Sequence, residues 1–318
     1  DWLRREVYIY RPAWHGAWMT ADRETLEIFA HADGGRAMSK SEGRRFDPVD
    51  IELGPDGAIY ISSWGREYGL SEKDGKQVNE GRIYRLWPKD APPDCKALRD
   101  PKRQKPINEW STTELHQDLA SHLPAWRTNA QEELLRRGSG EPEPGTSILP
   151  SSKRFATWHA WTMARQRLAA ERDAILFRNL SDPDSPGARQ RMRILAYRAR
   201  QRGDHRLPEA SRQELKSPDA RCRHEAILAI RQAGETRWNE DLLALLAVEQ
   251  DRVVYYSAWG ALMDLIPSPR RKALLKDPRP ATRRGIFLSL LEEDSLSDAE
   301  IRLFLLDPDK SIADPGSG

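Results

Sequence analysis

From about residue 151 the sequence repeats itself, and no other feature constrains the fold so tightly. The stretches SSKRFATWHAWTMAR (151–165), SDPDSPGARQRMRILAYRAR (181–200), KSPDARCRHEAILAIRQAG (216–234), EQDRVVYYSAWGALMDLI (249–266) and KDPRPATRRGIFLSLLEED (276–294) share one plan. Each opens with a polar or proline turn, carries a basic residue or two, and runs into an apolar helix with small residues spaced along it. LDPDK (306–310) starts another turn, where the last repeat is expected to be truncated. The period of about 30–35 residues is that of a helical solenoid. Partner helices lie between, at NEDLLALLAV (239–248) and SDAEIRLFLL (297–306), the latter opening with Ser297 and Glu300 in capping-box spacing. One such unit cannot bury its own apolar face, but stacked neighbours can. An α-α superhelix is therefore expected over 111–318.

Its first turn is legible from local chemistry. Ser111-Thr112-Thr113-Glu114 is a capping box that starts a helix with Leu115, Leu119 and Leu123 on one stripe. PAWRTNAQEELLRRG follows as the second helix of a pair and ends at Gly138, a suitable C-terminal residue. SGEPEPGTS (139–147) is a break. Residues 88–110 hold five prolines among many charges and read as a connector, with 91–110 as the linker proper.

Before the linker, the period changes to two. EVYIY (6–10) and ETLEIFAHA (24–32) alternate, the second with Leu26, Ile28 and Ala30 on one face. DPVDIELGPDGAIYISSWG (47–65) is a hairpin, with Val49, Ile51 and Leu53 facing one way and Ile59 and Ile61 on the return strand. Gly54-Pro55-Asp56-Gly57 is its turn: Pro presets φ, Asp bonds the local backbone, and Gly accepts positive φ. RIYRL (82–86) adds another strand. Five or six strands in 1–90, with no helical period between them, fit antiparallel propeller blades.

PVDIELGPDGAIYISSWG…GRIYRL, coupled to the helical repeats after it, resembles the late blades of glucose/sorbosone dehydrogenase-like six-bladed β-propellers. More narrowly, the chain is similar to the PVC-type haem-binding or membrane-bound dehydrogenase-domain proteins of planctomycetes and verrucomicrobia. In that family a propeller precedes HEAT-like repeats and often a cytochrome c domain carrying CxxCH. The resemblance implies an exported, periplasmic or cell-surface redox protein acting on a sugar or polyol. Its repeats would be a docking scaffold toward a cytochrome c domain, with haem c in the parent and PQQ or calcium as further cofactors. The chain departs from the family in lacking CxxCH and the earlier blades. Asp1 is not Met, so the natural N-terminus is expected upstream. Five or six strands cannot close a propeller, so the fragment itself is expected to be inactive and without cofactor. The alternative is a non-catalytic glycan- or protein-binding scaffold of propeller and repeats.

If the GPDG hairpin lies at the bottom of a propeller, the connections at Arg45, Asp47, Trp64, Arg66 and Tyr68 lie on the upper face, where propeller enzymes bind ligand. Asp50 reads as a partner for nearby loop backbone. Eleven Trp is a high count, but Trp158, Trp161 and Trp259 sit at core spacing inside repeat helices. Seven His give no metal set: His116 and His122 fall on different helix faces, and His159 and His224 at equivalent repeat positions. Arg189 to Arg202 reads as a solvated helix face with acidic partners elsewhere. The two cysteines, Cys95 and Cys222, form no CxxC, which leaves metal binding and c-type haem attachment unsupported. A net charge of +2 gives no reason to expect nucleic acid, and no apolar run is long enough to span a bilayer.

Overall fold

A computed structural model of the chain describes residues 6–21, 23–31, 46–64, 72–73, 76–77, 81–87, 89–90, 100–138, 152–166 and 186–309. A few small sheets are followed by many helices. The chain forms two compact units, one of Asp1–Ala13 with Thr20–Gln166, the other of Trp14–Met19 with Arg167–Gly318.

In the first unit, β1 (Glu6–Ile9) pairs antiparallel with β4 (Glu27–His31), shifting register between Val7 and Tyr8. The start of the expected strand at 24 is instead a 3-10 turn, Arg23–Thr25. A hairpin that the period-two reading missed, β2 (Pro12–His15) and β3 (Trp18–Ala21), lies between them in sequence, and its tip, Trp14–Met19, belongs to the second unit. The quoted hairpin is β5 (Asp47–Leu53) and β6 (Ile59–Trp64). After the two-residue strands β7 (Glu72–Lys73) and β8 (Lys76–Gln77), β9 (Arg82–Leu86) completes a three-stranded antiparallel sheet in the order β5-β6-β9. Ile51, Ile61 and Tyr84 stand in register across it. Ile61, on the central strand, is fully buried, whereas Val49, Ile51 and Leu53 on edge strand β5 are exposed. Among the described residues no sheet has more than three strands, and none closes into a propeller.

The β5–β6 turn is built around one carboxylate. Asp56 accepts from the Ala58 N–H at 3.0 Å and the Tyr60 hydroxyl at 2.7 Å, and it pairs with Arg85. Burial works to raise the Asp56 carboxyl, but these three donors outweigh it and hold it below the usual range. Gly54 approaches so closely that a Cβ would overlap the Tyr60 ring.

The helices of this unit start where capping chemistry places them. Ser111 and Glu114 make both bonds of a capping box at α1 (Thr112–Asp118). Pro124 opens α2 (Pro124–Arg137), which ends at Gly138 with φ of 67°. Leu123, expected on the α1 stripe, is the residue before that proline and caps α2 instead. Ser152 caps α3 (Lys153–Arg165). Trp110, Leu115, Leu119, Ala130, Leu134 and Phe155 form the core between them. Residues 100–110 are 3-10 turns on this core, held by Arg137 donating to the carbonyls of Trp110 and Ile107.

The second unit stacks four long helices: α4 (Pro186–Arg202), α5 (Ala220–Ala233), α7 (Arg252–Leu265) and α9 (Pro280–Glu292). Shorter elements alternate with them: the 3-10 segment Glu209–Lys216, α6 (Asn239–Val248), α8 (Ser268–Ala273) and α10 (Asp298–Leu305). Ala226, Ile230, Leu242, Leu246, Leu262 and Leu290 are fully buried between the two layers.

One device recurs at the turn that follows each shorter element. Ser217, Glu249, Asp277 and Asp307 each accept, through the side chain, the N–H two residues on, at 3.2, 2.8, 2.9 and 2.9 Å. Arg223 then donates back to the Ser217 carbonyl and grips Glu249 of the next turn, both at 2.8 Å. Arg283 repeats this on the Asp277 carbonyl and on Asp307. Between them, Tyr255 takes the corresponding position and donates its hydroxyl to the Ala281 carbonyl at 2.8 Å. The repeat period is thus written in hydrogen bonds that tie each turn to the next.

Candidate functional site

Of the five residues expected to line a ligand site, Arg45, Arg66 and Tyr68 lie outside the described residues. Asp47 and Trp64 are brought together as cross-strand partners at the open end of β5–β6. The Asp47 N–H donates to Ser63 Oγ at 2.9 Å, and Trp64 is exposed. Asp50 accepts from the N–H of its own neighbour Ile51, so its acceptor role is local.

The aromatic and basic groups singled out from the sequence divide between packing and surface. Trp158 and Trp259 are half-buried against the cores of their units. His116 is buried with Nδ1 2.8 Å from the Thr112 carbonyl, and its ring lies 5.7 Å from that of His159. His224 meets Ser257 Oγ at 2.8 Å, and burial pushes its imidazole below the ordinary value. Among the described residues no three His, Cys, Asp or Glu side chains converge as a metal site would require. The Arg189–Arg202 stretch is not uniformly solvated. Arg191 and Arg193 pair with Glu214 and Glu225 on neighbouring elements, and Arg198 is buried.

Aligning the long helices on their turn residues exposes a surface that the periodicity alone did not reveal. Seven positions after Ser217, Glu249 and Asp277 stand His224, Tyr256 and Arg284; eleven after, Leu228, Gly260 and Leu288; fourteen after, Arg231, Met263 and Leu291. These rows run across α5, α7 and α9 on the side away from the shorter elements. Tyr256 is 44% exposed, Leu228 36% and Leu291 50%, against full burial of Ala258 and Leu262 on the opposite side of α7.

Cations frame this surface. Arg252 lies over the Tyr256 ring at 5.6 Å, and Tyr256 meets Trp259 edge-on at 5.9 Å. Arg284 donates to the Tyr255 hydroxyl at 3.1 Å and covers its ring at 4.8 Å. Arg231 crosses from α5 to pair with Asp264 on α7. Arg252 and Arg284 hydrogen-bond to no carboxylate among the described residues. An exposed aromatic and aliphatic strip with unneutralised guanidinium groups at its rim is suited to holding a ligand.

No protein-family profile matches the chain, and no curated protein matches it. Among solved structures, the Escherichia coli protein YibA is similar over 64% of this chain and 68% of its own, at 14% identity and a TM-score of 0.27. A likeness at that level carries no argument about fold or function. Among the described residues no helix is long and apolar enough to cross a membrane.

Proposed function

We propose that the chain is a docking scaffold, a HEAT-like stack of helices joined to the late blades of a larger β-propeller. The observation that carries this reading is the continuous tie from turn to turn, Arg223 to Glu249 and Arg283 to Asp307. Such ties fix the spacing of successive helices, and a surface of fixed spacing is what a docking module offers a partner. The antiparallel order β5-β6-β9 around a Gly-Pro-Asp-Gly turn supports the blade reading of the strand region.

The test combines two measurements. The chain is assayed for dye-linked oxidation of aldoses and polyols, with and without quinone cofactor and calcium. It is also cross-linked in its native extract and the products are mapped by mass spectrometry. No turnover is expected, and cross-links from exposed Lys216 and Lys276 should reach a second polypeptide or a further domain. Robust turnover on any aldose, or cross-links confined to the helical unit itself, would sink the scaffold reading.

A second reading follows from the resemblance of GPDGAIYISSWG and its helical sequel: the scaffold spaces a sugar- or polyol-oxidising propeller from a cytochrome c domain in an exported parent. Recovering the flanking coding sequence tests it. Upstream blades and a downstream CxxCH would support it, and unrelated flanks would remove it.

A further inference from the structure

We infer that the strip across α5, α7 and α9 is a docking site for an acidic peptide segment carrying aliphatic side chains; the inference rests on the scaffold reading and assigns its partner class. Three observations point to this chemistry.

The first is relief. In the middle row Gly260 stands in register with Leu228 and Leu288, so the strip dips where α7 offers no side chain, and the glycine at its floor is buried. The nearest atom to a Cβ placed there is Arg231 Nη1, 3.4 Å away, so the dip is bordered by a guanidinium group rather than filled by packing. An aliphatic side chain entering it would meet Leu228 and Leu288 on either side.

The second is charge. Arg252 and Arg284 have aromatic and hydroxyl partners and no carboxylate, while Arg231 is half-exposed beside Asp264. Incoming carboxylates would find guanidinium groups without a carboxylate partner, Arg252 and Arg284, along one border of the apolar row.

The third is rigidity. Tyr255 is fixed by its bond to the Ala281 carbonyl, and Ser257 by its bonds to His224 and the Val253 carbonyl. Tyr256 stands between two anchored neighbours on α7, so little order is lost when a ligand covers it.

Charge and stacking would also suit a single-stranded nucleic acid. Leu228 and Leu288 of the middle row and Leu291 of the next favour a peptide instead, since they offer no flat face to stack a base and no donor to read one.

The experiment measures fluorescence anisotropy of the whole chain with labelled peptides of repeating Glu-Glu-Leu and repeating Lys-Lys-Leu, and with a labelled single-stranded RNA oligonucleotide. The acidic peptide is expected to bind saturably, more weakly as salt is raised, and better than either other probe. Arg252→Glu, whose side chain is exposed, should weaken it by about tenfold or more. Tyr256→Ala should weaken it too. Arg270→Glu, on the opposite layer and paired with Glu240, should leave it unchanged. Circular dichroism of each variant confirms the fold. The assignment is overturned by absent binding, by binding that Arg252→Glu leaves intact, or by a preference for the basic peptide or RNA. Each of those outcomes leaves the scaffold reading to its own cross-linking test.

Discussion

Asp251 accepts the backbone N–H of Ala17 at 2.8 Å across 234 positions of sequence. The two carboxylate oxygens divide the work. Oδ1 caps α7 by accepting from Val253 and Val254 at 2.9 and 3.1 Å, and Oδ2 holds the tip of the β2–β3 hairpin. Gly16, with φ of 59°, is the first residue of the two-residue loop, as a type II′ hairpin requires. A Cβ there would overlap the Asp251 carboxylate.

Two substitutions separate these roles. Asp251→Ala removes the cap and the hairpin contact together and should destabilise the helical unit by about 2–4 kcal/mol. Gly16→Ala keeps the capping side chain but crowds its outer oxygen, and should cost about 1–3 kcal/mol through strain and lost docking. Urea unfolding at unchanged m-value reads both. A Gly16→Ala variant as stable as the parent would show that the hairpin tip does not sit against Asp251.

The contrast between these residues also marks what sequence makes legible. The turn at 249–251 announces itself, because acid, turn and basic helix recur at each repeat and the chemistry is local. The hairpin at 12–21 does not. Its loop is Gly-Ala, its first strand opens with Pro12, and its partner lies in the helical unit, where no local pattern points to it. The exposed strip was hidden for a related reason. Tyr256 and Leu228 look like core residues by type, and only alignment through the turn residues puts them on one face. In the strand region alternation located β5 but not its burial, because Val49, Ile51 and Leu53 occupy an edge.

The turn-to-turn tie at Arg283 predicts a graded response. Its side chain and that of Asp307 are both largely buried, and four hydrogen bonds radiate from one guanidinium. Arg283→Ala strands the Asp307 carboxylate and should cost about 3–5 kcal/mol. Arg283→Lys restores the charge but cannot reach the turn carbonyls and the next turn at once, so about 1–2 kcal/mol should remain lost. Thermal melting of the two variants decides it. A lysine variant as stable as the parent would reduce the tie to simple charge attraction.

In the first unit, acid should act through Glu133. A hydrogen bond from Arg136, opposed by burial and joined by Arg137, holds its carboxyl down to about 2 from an ordinary 4.5. A folded-state value below the unfolded one means stability that is fully present above 4.5 and lost as pH falls towards 2. Glu133→Gln should therefore weaken protection of α2 amides at neutral pH, and the difference from the parent should vanish at the acid end. Hydrogen exchange over that range is the measurement. A difference that persists unchanged to pH 2 would assign the effect to shape rather than charge.

Two helix glycines set propensity against packing. In an exposed helix interior, Gly→Ala is worth about 1 kcal/mol of stability, because alanine has less backbone freedom to lose. At Gly260 the nearest atom to a new Cβ is the mobile end of Arg231 at 3.4 Å, so propensity should win and Gly260→Ala should gain about 0.5–1 kcal/mol. At Gly285 the new Cβ would lie 2.7 Å from Leu246 Cδ2 and 3.2 Å from its Cγ. Leu246 is fully buried and cannot swing aside without displacing its own neighbours. Gly285→Ala should therefore lose about 1–3 kcal/mol despite the better helix former, since overpacking outweighs propensity there. Chemical denaturation of both variants reads the opposite signs directly. If both are stabilised, α6 and α9 do not approach as closely as the bare Gly285 implies, and the packing of the two layers is looser than described.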